Sequence, residues 1–116
     1  MLERQLTEHE EQRDFVQWFR KKFLTVRILA IPNGGARNII TASAMKLEGV
    51  SPGVPDLYVP AWGLWIEMKK AKNGVVSDAQ KDWISYLLGL QYSVFVAKGC
   101  EDAKLKVIDF LRERKL

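Results

Sequence analysis

The chain has 116 residues, with 18 Lys plus Arg against 14 Asp plus Glu and a formal net charge of +4 at pH 7. Hydrophobic residues make up 47% and charged residues 28%, which excludes a disordered tail or a collagen-like repeat and leaves apolar surface for one real core, so residues 1–116 are expected to form one domain. Cys100 is the only cysteine and His9 the only histidine, which excludes an intrachain disulfide, a cysteine-rich zinc site and any paired-histidine metal site.

In chain order, residues 7–23 read as an amphipathic helix. Thr7 is placed to cap it with Glu10 as capping-box partner, and Phe15, Val16, Phe19 and Phe23 recur at helical spacing. Residues 26–31 are short, apolar and β-branched, which predicts a strand, and Pro32-Asn33-Gly34-Gly35 must end it. A helix is expected over about 38–48 with Gly49 as its stop. Leu57-Tyr58-Val59 and residues 64–69 predict two strands joined around Ala61-Trp62-Gly63, where Trp62 is expected to be the most exposed of the four tryptophans, free to meet a partner subunit or a base. Ser77 caps a helix over about 78–89 with Gly89 ending it, residues 92–97 predict a strand, and a last helix runs from about 101 to 114. That order predicts an α/β fold with a mixed central β-sheet flanked by helices.

Positive charge gathers in the first half: residues 15–50 carry six bases and the single acid Glu48. Such a surface raises the local concentration of a polyanion. No apolar run approaches the roughly 20 residues that cross a bilayer, and the first residues lack the pattern of a signal peptide. With one unpaired cysteine, the expected setting is a reducing compartment, most simply a cytoplasm, bacterial or that of a virus-infected cell. Neither GxGxxG nor a P-loop occurs, so no nucleotide cofactor is expected.

The chemistry concentrates between Pro55 and Lys70. Glu67 and Lys69 lie two apart on a predicted strand and so share a face, with Ile66 and Met68 on the other. If the chain folds back around Trp62, position 56 falls opposite about 68 and Asp56 becomes a near neighbour of Glu67. Two carboxylates that close repel unless a cation sits between them. Hard oxygen ligands of this kind suit Mg²⁺, with Mn²⁺ as a substitute, and the Met68 carbonyl offers another. Lys69 would hold or deprotonate a water beside them. A plain Glu67–Lys69 salt bridge is the competing explanation, but it does not say why Asp56 is aimed at the same spot.

Pro55-Asp56 followed by Glu67-Met68-Lys69 resembles the signature of the PD-(D/E)XK nuclease superfamily. More narrowly, the chain resembles the VRR-NUC domains, the virus-type replication and repair nucleases. The matching pieces are Glu8-His9-x-x-Gln12; Ile31-Pro32-Asn33-Gly34-Gly35 with Arg37; Lys46-Leu47-x-Gly49-Val50-x-x-Gly53-x-Pro55-Asp56-Leu57; Trp65-Ile66-Glu67-Met68-Lys69; and Ser77-x-x-Gln80-x-x-Trp83. The resemblance implies a restriction-endonuclease-like core, divalent-metal dependence, DNA as substrate and a homodimer cutting branched DNA such as four-way junctions. It also implies a third acid from the first helix, Glu8, with Glu11 on the adjacent stripe as a close rival. It places Gln80 at the edge of the site, on Lys69 or the attacking water. Asn33 and its neighbouring glycines, Arg37 and Lys46 are expected to bind DNA phosphates. A non-catalytic nucleic-acid-binding domain on the same fold is the alternative.

Overall fold

Thr7 and Glu10 set the start of the first helix. The Thr7 hydroxyl accepts the Glu10 N–H at 3.2 Å and the Glu10 carboxylate accepts the Thr7 N–H at 2.9 Å. Arg4 then grips Glu10 through the two terminal guanidinium nitrogens, at 2.8 and 2.9 Å. In the computed structural model, which describes residues 4–32 and 39–114, this helix is α1, Glu8–Lys22. It buries Phe15 and Phe19 completely, as their four-residue spacing requires. The other elements are β1 (Leu29–Ala30), α2 (Ile39–Leu47), β2 (Leu57–Val59), a 3-10 turn (Pro60–Trp62), β3 (Leu64–Lys69), α3 (Asp78–Gly89), β4 (Ser93–Lys98) and α4 (Cys100–Arg114).

The four strands form one mixed sheet in the order β1-β2-β3-β4, antiparallel except for the parallel β3–β4 pair. A parallel neighbour demands a crossover, and α3 supplies it. One sheet face carries Leu57, Val59, Leu64, Ile66, Met68 and Ala97, which pack with Phe15 and Phe19 of α1 and Ala103 and Val107 of α4 into the core. The expected mixed sheet with flanking helices is what the chain forms. Among the described residues, no helix is long and apolar enough to cross a membrane.

Two expectations need correction. The strand predicted over 26–31 is a two-residue edge strand: Leu29 and Ala30 pair only with Tyr58 and Leu57, and both are exposed. Trp62 is not an exposed tip. Its ring lies 5.5 Å from Phe19, 5.2 Å from Phe23 and 6.0 Å from Phe110, because the 3-10 turn folds back over the end of α1 and Gly63, at φ 55°, redirects the chain into β3. The helix expected over 78–89 does end at Gly89, and the left-handed conformation falls two residues later at Gln91, φ 69°.

Phe19→Ala is expected to cost about 3–5 kcal/mol of unfolding free energy in urea titrations, as core phenylalanine deletions do. Leu24→Ala, at a position 85% exposed, should change it by less than about 0.5 kcal/mol. Equal losses would contradict this core.

Candidate metal centre

The β2–β3 hairpin decides which acids meet. Leu57 pairs with Ile66 and Val59 with Leu64, so position 56 falls opposite 67, one residue from the expected 68. The four-residue connection 60–63 sets that register. Asp56 and Glu67 therefore sit directly across from each other, on the face opposite the Ile66 and Met68 side chains. Asp56 Oδ2 accepts the Met68 N–H at 2.8 Å, a bond that aims the carboxylate across the strand pair. Lys69 follows on the same face, and its Nζ lies 3.7 Å from Glu67 Oε2.

All three side chains are withdrawn from solvent. Glu67 is 0% exposed, and Asp56 and Lys69 are each 7% exposed. Charged groups are almost never this buried without compensation. From the first residue of α1, Glu8 joins them: one carboxylate oxygen each from Glu8, Asp56 and Glu67 lie within 4.8 Å of one another. Glu11 goes elsewhere, to the Cys100 N–H at 2.9 Å, so of the two rival helix acids it is Glu8 that reaches the cluster. Cys100 itself is buried as the first residue of α4.

Gln80 bonds to Glu67 rather than to Lys69. Its Nε2 donates to Glu67 Oε2 at 2.9 Å while its Oε1 accepts the Ser77 N–H at 2.8 Å. The capping box of α3 thus doubles as a clamp on the buried glutamate. Gly53 makes this possible. At φ +89° it brings the 51–55 loop so close to α3 that a Cβ there would meet the Ala79 carbonyl carbon at 2.5 Å and the Gln80 nitrogen at 2.8 Å. Ser77 alone predicted the cap; the bond from Gln80 to Glu67 could not be foreseen, because nothing in the sequence says what lies across from the helix.

One oxygen has no partner. Glu67 Oε1 is buried without a hydrogen bond, one of two such side-chain atoms among the described residues, the other being Trp65 Nε1. In the absence of a cation the Glu67 carboxyl is pushed up to about 9. Burial is the largest cause; the charge of Asp56 and a hydrogen bond with it come next, Lys69 opposes them and Glu8 adds to the rise. An orphaned oxygen on Glu67 and two further acids in the same cluster fit a hard divalent cation, which needs oxygen donors and offsets this repulsion.

Lys46 is exposed in the last turn of α2, and Asn33 and Arg37 lie outside the described residues. Among known families, the sequence model of the VRR-NUC domain matches residues 1–101. The chain belongs to the VRR-NUC family. Its structure is similar to that of a solved VRR_NUC domain protein, with a TM-score of 0.78 and 28% identity over 94% of this chain and 91% of that one. No curated protein matches. VRR-NUC is a nuclease family, and in this member the acids of its signature form a cluster that can bind a metal.

Between Glu67's ordinary value near 4.5 and about 9, the folded metal-free protein binds more protons than the unfolded chain. Its stability should therefore fall as pH rises through that window. Thermal melts from pH 5 to 9 are expected to show this decline, Glu67→Gln to flatten it, and added Mn²⁺ to oppose it most strongly at the alkaline end. A wild-type profile that rises across the window would contradict the buried, repelled carboxyl.

Proposed function

We propose that this chain is a metal-dependent DNA endonuclease that acts as a single domain, selects branched DNA such as four-way junctions, and uses Mg²⁺. The observation that carries it is the buried Glu67 carboxylate: one oxygen has no hydrogen bond, Lys69 Nζ lies 3.7 Å from the other, and the group clusters with Glu8 and Asp56. A binding domain has no use for a dry carboxylate cluster beside phosphates, since like charge repels them.

Glu8, Asp56 and Glu67 would hold the ion, with the Met68 carbonyl as a further hard oxygen. A divalent ion supplies Lewis-acid polarisation of a phosphoryl oxygen and charge stabilisation in the transition state. Lys69 holds an ammonium at the edge of the cluster, where it orients the attacking water and takes up a share of the developing negative charge. Gln80 fixes the Glu67 carboxylate through Oε2 and leaves Oε1 without a hydrogen bond. Asn33, Arg37 and Lys46 would hold the substrate backbone. A symmetric pair of such chains would present two sites to the arms of one junction.

Labelled linear, flapped and four-way DNA, incubated with Mg²⁺, should be cut by the wild type with preference for the branched forms. Lys69→Ala should lower the cleavage rate by about 10²-fold or more, the range for losing one preorganised group that stabilises developing charge, while still binding DNA. Wild-type binding without cleavage would identify a binding domain instead. Equal cutting of linear and branched DNA would remove the structure selectivity, and a monomer in sedimentation at assay concentration would remove the dimer.

A further inference from the structure

We propose that Glu11 is a positioning residue: by pinning the first turn of α1 to the start of α4, it keeps the Glu8 carboxylate beside Asp56 and Glu67. Glu8 matters in this way as a ligand, so the role rests on the metal-dependent reading of the cluster.

Acids in the first turn of a helix are normally solvated, where the helix dipole already favours them. Glu11 is 7% exposed. Its Oε1 accepts the N–H of Cys100, 89 positions away, at 2.9 Å. That N–H opens α4, so the bond is charge-assisted and lies at the positive end of a second helix. The turn before α4 is shaped around the carboxylate. Gly99 has φ +91°, and a Cβ there would come within 3.2 Å of Glu11 Oε2 and of the Ala71 Cβ.

The same turn is tied to the cluster from the other side. The Gly99 N–H donates to the Lys69 carbonyl at 2.8 Å. A closed path of contacts therefore runs from Glu8 along one turn of α1 to Glu11, across to Cys100 and Gly99, and into the end of β3, which carries Glu67 and Lys69. Glu8 needs such a tie. Its carboxylate makes no hydrogen bond or ion pair among the described residues, so its place is set by where the helix start sits. Helix ends fray, and the core anchors Phe15 and Phe19 lie two and three turns further on. Gln5 Nε2 to the Lys72 carbonyl at 3.0 Å, a further contact near this end, is exposed.

The test is a double-mutant cycle on Mn²⁺ affinity, measured by calorimetry on the full chain. Glu11→Ala should weaken binding by about 10–100-fold, the range for residues that orient a ligand. Glu11→Gln keeps an acceptor for Cys100 and should stay within a few-fold of wild type. In the Glu8→Ala background, Glu11→Ala should cost nothing further, because its effect passes through Glu8. A merely structural Glu11 would lose the same factor in both backgrounds, and wild-type affinity in Glu11→Ala would overturn the role outright. Should Glu11→Ala not fold, Cys100→Pro removes the contact from the other side, since proline is tolerated at a first helical position. The same loss is expected there, and unchanged affinity overturns the proposal. Metal-free crystal structures separate this from the nuclease reading. If the wild type binds no Mn²⁺, that reading fails, yet Glu8 should still leave the cluster in Glu11→Ala and stay in Glu11→Gln. A Glu8 carboxylate that remains within the 4.8 Å span in Glu11→Ala would overturn the positioning role by itself.

Discussion

Two carboxylates facing each other across a buried strand pair repel, and the rest of this fold is arranged around tolerating that repulsion. Glu67 has no exposure to water, Asp56 lies opposite it, and Lys69 at 3.7 Å offsets only part of the conflict. Acids crowded together at this depth are costly to a fold, because buried charge loses its hydration. Local strain and unpaired polar groups of this kind gather at functional sites. The conflict disappears once a cation lies between the oxygens.

Each carboxylate is held by a different device, and each device belongs to a different element. Asp56 is aimed by the Met68 N–H in the hairpin ladder, and Glu67 by the Gln80 amide in the cap of α3. Glu8 is delivered by the start of α1, whose capping box fixes where the helix begins. The apolar face of the sheet, packed on α1 and α4, supplies the rigid base beneath all three. Sites on such elements hold their geometry better than sites on loops. Gly53 and Gly99 serve the same end by letting backbone approach where a side chain would collide.

Much of this was legible in the residues. Alternation along residues 64–69 put Glu67 and Lys69 on one face, and Ser77 announced a capped helix. The ordered motifs pointed to the VRR-NUC family. What could not be read were distances between elements. The one-residue error in the Asp56 register came from a turn whose 3-10 conformation leaves only a faint trace in Pro60-Ala61-Trp62-Gly63. Trp62 was misplaced because a turn residue looks exposed until the helix it lies on is known. Glu8 and Glu11 sit on adjacent stripes of one helix, and periodicity cannot separate them; the Cys100 N–H, 89 residues away, does. The edge strand was overdrawn because β-branched residues mark extended chain, not the presence of a pairing partner.

Anomalous diffraction from a crystal soaked in Mn²⁺ tests the central claim most directly. A single strong peak is expected at about 2.1–2.3 Å from carboxylate oxygens of Glu8, Asp56 and Glu67, with Glu67 Oε1 among its ligands. Saturating Mn²⁺ that leaves this cluster without a peak, while the three acids keep their places, would contradict it.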